Sequence, residues 1–311
     1  MSADDTLTSG TVQRKQLPGS DEMSLVIQEP MVGGVAIQIE LDRVYVQRRT
    51  AYQEVIVADT VAFGRTLFLD GFVQSSSSDE CIYHELLIHP ALVIHGCPRR
   101  VLVGGTGEGA SIRELLRHPT IEQVVTVDID GEVVELCREH LPEWSAGALD
   151  DPRVEARVED FAETLATAEA SSFDVVVVDL TDPDDDGPAH LWSADFFASI
   201  ARVLADGGIC VLQAGEFDPC DLTPLQSVRA TLLEVFPHVR FLRVAVPSFS
   251  CLWSFAVVSM QPFELCPEDL EERVAKLPRE ELRVYTPIAH RAAAELPPYL
   301  KRLLLAPQAA E

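Results

Sequence analysis

A glycine loop with an acid inside it, Gly104-Gly105-Thr106-Gly107-Glu108-Gly109, constrains this chain more than any other feature. The apolar run Val101-Leu102-Val103 precedes it, and Ile112, Leu115 and Leu116 follow at helical spacing. Strand, glycine loop and helix in that order open a parallel α/β sheet and aim the loop's backbone N–H groups at an anion such as a pyrophosphate. The Glu108 carboxylate would repel that anion. The loop therefore suits a nucleoside-like ligand that brings positive charge to this spot. It disfavours a pyrophosphate-bearing dinucleotide, although Gly105 to Ala110 fits the G-x-G-x-x-A spacing.

Strand and helix patterns alternate downstream of Arg100. Strands are expected at 101–104, 123–128, 154–158, 173–179, 208–214, 239–245 and 252–259, and helices near 109–117, 130–140, 160–168, 193–204 and 221–235. This alternation predicts a doubly wound parallel sheet of seven strands, its last two strands forming a terminal antiparallel hairpin because their connection is short. Upstream the period is two. Val35-Ala36-Ile37-Gln38-Ile39, Val44-Tyr45-Val46, Glu54-Val55-Ile56-Val57 and Thr66-Leu67-Phe68-Leu69, separated by glycine turns, predict a small antiparallel β domain over residues 23–85. Residues 1–22 are polar and read as a flexible tail without a signal peptide, and residues 86–311 as a Rossmann-like catalytic domain.

Ligands of such sheets sit beyond the C-terminal ends of the strands. Four acids fall there: Glu108, Asp128 after Val124-Val125-Thr126-Val127, Asp160, and Asp179 after Val175-Val176-Val177-Val178. Asp128 stands 21 residues beyond Gly107, where an acid commonly takes ribose hydroxyls; its other reading is a helix cap. Asp160 could accept from an adenine amino group or cap the helix that follows. Four apolar residues deliver Asp179, and Asp182 follows three residues later. Paired acids in a crevice can orient an amine and remove its proton, which an amine with a pKa near ~10 needs before it can act as a nucleophile. The run Asp182 to Gly187 imitates a calcium loop, but its twelfth position is Ser193 and a strand precedes it, so it reads as a loop lip. Gln74, Tyr83 and His84 cluster where the β domain meets the α/β domain.

The net charge of −26 disfavours nucleic acid and anionic membranes and attracts cations. The seven cysteines include no C-x-x-C pair, which implies reduced thiols, a cytoplasmic setting and no zinc site. No apolar run approaches the ~20 residues a membrane span needs.

Taken in order, Tyr52-Gln53, Leu69-Asp70-Gly71 to Gln74, Asp79-Glu80 with Tyr83 to Glu85, Gly104 to Glu114, Asp128-Ile129-Asp130 and Asp179 to Pro183 resemble the polyamine aminopropyltransferases of the spermidine synthase family. The resemblance implies a class I methyltransferase-like Rossmann domain behind an N-terminal β domain. It also implies decarboxylated S-adenosylmethionine as co-substrate, no resident cofactor or metal, and a homodimer or homotetramer. It places Gln53, Gln74, Gly105, Gly107, Glu108, Asp128 and Asp160 around the donor, Tyr83, His84 and Asp182 around the acceptor amine, and Asp179 as the base. Gly107-Glu108-Gly109, Gln213-Ala214-Gly215 and Val246-Pro247-Ser248-Phe249 with Trp253 are most similar to thermospermine synthases, which implies spermidine as acceptor and adds Trp253 to its site. Spermidine synthases and enzymes acting on agmatine or triamines are the near alternatives. A methyltransferase using intact S-adenosylmethionine, an NAD(P) enzyme and a non-catalytic polyamine-binding protein are the distant ones.

Overall fold

A computed structural model of the chain describes residues 12–17, 23–31, 35–181 and 189–305. Six strands form an N-terminal antiparallel sheet in sequence order: β1 (Gln13–Gln16), β2 (Met23–Pro30), β3 (Ala36–Arg49), β4 (Glu54–Thr60), β5 (Gly64–Leu69) and β6 (Phe72–Ser76). Residues 13–16, expected within a tail, pair with Val26 back to Met23. An edge strand satisfies its backbone along one side only and needs no apolar alternation, so the polar run Gln-Arg-Lys-Gln gave no signal.

Helix α1 (Glu80–His95) spans the boundary placed at residue 85 and packs on the second sheet and on α2 (Ala110–Leu116). Its residues are buried around the whole circumference, as expected of a helix enclosed by a sheet on one side and helices on others. Glu85, fully buried, accepts the backbone N–H groups of Arg283, Val284 and Tyr285 at 2.6–2.9 Å. One helical carboxylate thereby pins the link between α8 (Pro267–Val274) and α9 (Pro287–Ala294), which with α10 (Pro298–Leu305) form the C-terminal segment on the outside of the domain.

The second sheet holds seven strands: β7 (Arg100–Gly104), β8 (Gln123–Asp128), β9 (Val154–Val158), β10 (Phe173–Val178), β11 (Leu204–Glu216), β12 (His238–Val246) and β13 (Cys251–Ser259). Their order is β12-β13-β11-β10-β7-β8-β9, with β13 antiparallel to both its neighbours. Interior strands bury both faces, so they are apolar without alternation: Val101, Val103, Val175 and Val177 point to the face covered by α1, and Leu102, Val176 and Val178 to the opposite face. Side-chain caps fix the starts of the crossover helices: Asp130 for α3 (Gly131–His140), Asp160 for α5 (Phe161–Thr167) and Ser193 for α6 (Ala194–Val203). The remaining helices are the single turn α4 (Pro142–Ser145) and α7 (Thr223–Leu233).

From β7 the chain winds outward through β8 and β9, then returns to β10 on the other side of β7. The order reverses between β7 and β10, and a crevice opens above that reversal. The glycine loop leaves β7 there, and Asp179 leaves β10.

Candidate active site at the sheet's reversal point

The two strand ends are tied together at the crevice floor. The Asp179 N–H donates to the Gly104 carbonyl at 2.8 Å, and the Gly105 N–H donates to Val127 at 2.8 Å. Gly105 has φ +91°, and a Cβ there would lie 2.0 Å from the Asp179 carbonyl oxygen. Only glycine lets the two loops approach this closely. The carboxylate of Asp179 accepts from the Tyr83 hydroxyl at 2.6 Å and from the Ser111 hydroxyl at 3.3 Å. Burial raises its pKa; the charge of His84 and the Tyr83 bond partly offset this, and Glu108 adds to it.

The loop's anion cradle already holds an anion, and it belongs to the protein. One Asp128 oxygen accepts the N–H groups of Thr106 and Gly107 at 2.9 and 3.0 Å, and the other accepts from the Asp130 N–H at 2.9 Å. The helix-cap alternative for Asp128 falls to Asp130 instead, which also accepts from Thr50 at 2.6 Å and from the Gln53 amide at 3.1 Å. With its donors engaged by Asp128, the loop has none to spare at those two residues for a pyrophosphate, so the crevice does not suit a dinucleotide. Burial raises the Asp128 pKa, while these backbone bonds pull it down.

Glu108 has a resident counter-ion. His84 Nε2 stands 3.2 Å from Glu108 Oε1, and His84 Nδ1 stands 3.2 Å from Glu80 Oε2. Burial opposes the imidazolium, but the two flanking carboxylates outweigh it and push the His84 pKa up to about 10. Burial works against the Glu108 carboxylate too, and the bonds from His84 and Ser75 bring its pKa below the ordinary value. Glu108 is therefore ionised but not an isolated charge, an arrangement that one-dimensional spacing did not show.

On the other side of Asp179 the wall is aromatic. The Tyr83 ring meets Phe255 and Phe249 edge-on at 5.0 and 5.7 Å, and Phe249 meets Trp253 at 5.1 Å. Phe249 sits on a single 3₁₀ turn, Pro247–Phe249, held by Asp79. The Asp79 carboxylate takes the Ser248 N–H at 2.7 Å and the Ser248 hydroxyl at 2.9 Å. The Trp253 indole N–H is buried without a hydrogen-bond partner among the described residues, and a polar ligand arriving there would satisfy it.

One acid on this side went unread in the sequence. Glu29 on β2 is buried, hydrogen bonds the backbone of Val73 on β6, and keeps Oε2 without a partner among the described residues. Burial raises its pKa to about 7. Strand β6 packs against the Pro247–Phe249 turn, so Glu29 and the aromatic wall share a support.

The structure thus brings Tyr83, His84, Glu108 and Asp179 together, joins Trp253 to them through Phe249, and sets Asp128 under Gly107. Gln53 is tethered to Asp130 beside Asp128. The Gln74 side chain is exposed and reaches back to the Phe72 carbonyl at 3.5 Å. Asp160 caps α5 through the N–H groups of Ala162 and Glu163 at 2.7 and 3.3 Å, and touches none of the other candidates among the described residues through a hydrogen bond. Asp182 and the calcium-like run lie outside the described residues.

Comparison with known proteins agrees with this architecture. The spermine/spermidine synthase domain matches residues 80–266, and the spermidine synthase tetramerisation domain matches residues 26–77. A polyamine aminopropyltransferase of Pyrobaculum calidifontis is 38% identical over 92% of this chain and 99% of its own length. Another, of Aeropyrum pernix, is 44% identical over 70% of each. Among solved structures, spermidine synthase from Thermotoga maritima superposes with a TM-score of 0.82 at 28% identity, covering 94% of this chain and 96% of that one. A spermidine synthase in complex with the transition-state analogue AdoDATO superposes with 0.84 at 27% identity, covering 94% of this chain and 97% of that one. The methyltransferase-like sheet with its antiparallel N-terminal partner is the fold these structures share, and this chain belongs to the spermidine synthase family, as a polyamine aminopropyltransferase.

Proposed function

We propose that this enzyme transfers the aminopropyl group of decarboxylated S-adenosylmethionine to spermidine, giving thermospermine and methylthioadenosine. The observation that carries the reading is the pair of ionisable carboxylates at one reversal point: Asp179 held by Tyr83, and Glu108 held by His84. The donor bears a sulfonium and an ammonium but no carboxylate. Glu108 attracts that ammonium and repels the carboxylate of intact S-adenosylmethionine, which discriminates through a repulsive element. Asp128 takes the ribose hydroxyls, Asp160 the adenine amino group with the oxygen lone pairs its cap leaves over, and Gln53 and Gln74 flank the donor. The loop residues Gly105 and Gly107 allow its close approach.

The acceptor amine attacks the propyl carbon next to sulfur. The new C–N bond forms as the C–S bond breaks, its electron pair leaves with sulfur, and the amine proton passes to Asp179. The sulfonium arrives already activated as a leaving group, so this chemistry asks for no cofactor or metal. Tyr83, Asp182 and Trp253 hold the acceptor, while His84, with both ring nitrogens engaged by Glu108 and Glu80, serves as the counter-ion of Glu108 and not as an acceptor contact. The enzyme acts in the cytoplasm as a homodimer or homotetramer, in keeping with the tetramerisation-domain match.

Product analysis tests the acceptor. With spermidine, putrescine, agmatine and norspermidine offered separately, spermidine is expected to give the highest kcat/KM and thermospermine, resolved chromatographically from spermine, as product. Faster turnover of putrescine would reassign the acceptor.

We extend the acceptor site to Glu29, which would take a second charged nitrogen of a long acceptor: its buried oxygen lacks a partner among the described residues, and it shares the support of β6 with the aromatic wall. Losing a hydrogen bond to a charged partner costs about 1.5–3 kcal/mol, so Glu29→Gln is expected to raise the spermidine KM roughly 10- to 100-fold. The donor KM should stay unchanged. In the wild type, spermidine affinity is expected to rise with pH through about 7 as this carboxyl ionises. An unchanged spermidine KM in the variant would remove Glu29 from the site.

A further inference from the structure

The Glu108 carboxylate is one member of a closed hydrogen-bonded ring. His84 links it to Glu80 (3.2 Å on each side), and Arg113 Nη2 donates to the same Glu80 oxygen at 2.8 Å. Arg113 Nη1 donates to the Trp144 carbonyl at 2.6 Å, the Trp144 indole donates to Ser75 Oγ at 2.6 Å, and Ser75 bonds Glu108. Five separate segments meet here: β6, α1, the glycine loop, α2 and α4. The ring balances its charges, two carboxylates against an imidazolium and a guanidinium, and every one of these four groups is largely buried, with side-chain exposures of 13% or less. Arg113 also donates through Nε to Glu114 at 2.8 Å. Glu114 is fully buried and bonded to His89, so Arg113 fastens the ring to the domain core.

We infer that Arg113 is a positioning residue for donor recognition: by closing this ring it holds Glu80, and through Glu80 and His84 it sets the direction in which Glu108 faces the crevice. The inference rests on the proposed donor. A planar guanidinium suits the task because it serves Glu80, Glu114 and the Trp144 carbonyl at once, whereas an ammonium on a flexible stem cannot hold all three in one geometry. A carboxylate that must tell one cationic nucleoside from its carboxylated parent needs fixed orientation as well as charge, and a supporting ring supplies it.

The test compares wild type with Arg113→Gln, Arg113→Lys, Trp144→Phe and the Arg113→Gln/Trp144→Phe double variant. KM is measured for decarboxylated S-adenosylmethionine and for spermidine, together with the inhibition constant of intact S-adenosylmethionine. Arg113→Gln is expected to raise the donor KM about tenfold or more, as losing one charged hydrogen bond predicts. The preference for the decarboxylated form should shrink by a similar factor and the spermidine KM should hold. Arg113→Lys should fall between. Trp144→Phe removes the indole N–H together with one ring of the bicycle and leaves all four charged groups in place, so it opens the hydrogen-bonded ring even if Arg113→Gln misfolds, and it should move the donor KM in the same direction. Both lesions open the same ring, so the double variant should resemble the worse single one. Unchanged donor selectivity, equal changes in the two substrate KM values, or multiplicative effects in the double variant would overturn the role. A wild type that releases no methylthioadenosine from the decarboxylated donor is a different result, because it would overturn the donor reading itself.

Discussion

Replacing Asp179 with Asn should stop methylthioadenosine release at neutral pH while leaving donor binding nearly intact. The isosteric amide can still accept the Tyr83 hydroxyl, which donates at 2.6 Å in the wild type, so the local packing survives. What disappears is the group that takes the amine proton. General bases contribute typically ~10²–10⁴-fold, and that is the expected loss in kcat. Donor affinity, measured calorimetrically, should change by less than about threefold, since Asp179 acts on the acceptor side.

The pH profile makes this sharper. An acceptor amine with a pKa near ~10 is mostly ammonium at neutral pH. In the wild type Asp179 removes the proton within the site, and activity falls on the acid side as its own pKa is crossed; burial places that limb above the ordinary carboxylate range. In the Asn variant only amine that has already lost its proton to solvent can react. Its deficit should therefore shrink about tenfold for each pH unit below the amine's pKa. Rescue should level off near pH 10, where His84 begins to lose its own charge. An Asn variant with near-normal turnover at pH 7, or with a deficit that ignores pH, would remove Asp179 from the base role. The distant alternatives part company here too, since neither a methyltransferase nor a polyamine-binding protein releases methylthioadenosine.

Much of this site was legible because the fold puts chemistry at strand ends, and strand ends can be read from hydrophobic period. The apolar run from Val175 to Val178 announces a doubly buried strand, so the first polar residue after it had to emerge at the crevice. Asp128 was legible for the same reason. Its partner was not: the glycine loop reads as an anion cradle whose own Glu108 turns an external anion away, and the structure shows Asp128 itself filling the loop. Nothing in the sequence distance between Thr106 and Asp128 says which anion wins. Asp160 had two readings, and the structure supports the cap.

The less legible features are those whose partners lie far apart without a common period. Glu108 looked like a lone acid because its counter-ion His84 and the supports of that counter-ion come from a different element. Ser75 and Trp144 are 69 residues apart, Arg113 and Glu80 are 33 apart, and no rule of spacing joins them. Glu29 escaped for a different reason. An acid in an antiparallel strand reads as part of the solvent-facing alternation, yet here it points inward at β6. Residues 13–16 escaped because an edge strand can be made from backbone hydrogen bonds alone.

The second large effect concerns a residue with no side chain. Gly105→Ala should damage both stability and catalysis, while Gly107→Ala, two residues on, should be mild. Both positions have positive φ, +91° and +47°, so each alanine carries backbone strain of about 1–2 kcal/mol. Beyond that they differ. A Cβ at Gly107 meets nothing within 4 Å, whereas at Gly105 it lies 2.0 Å from the Asp179 carbonyl oxygen. That oxygen is backbone and cannot rotate away, so the β7 and β10 ends must separate, an overpacking cost of about 1–3 kcal/mol more. A combined loss of roughly 2–5 kcal/mol should lower the melting temperature by about 3–8 °C in a chain of this size. Separating the strand ends also moves Asp179 relative to the glycine loop, and a ~1 Å misplacement of a reacting group costs about 10²-fold in rate. Melting curves and methylthioadenosine release measured on the two variants side by side separate strain from collision. If Gly105→Ala is as stable and active as Gly107→Ala, the close approach of the two loops is not what sets the distance between the donor cradle and the base.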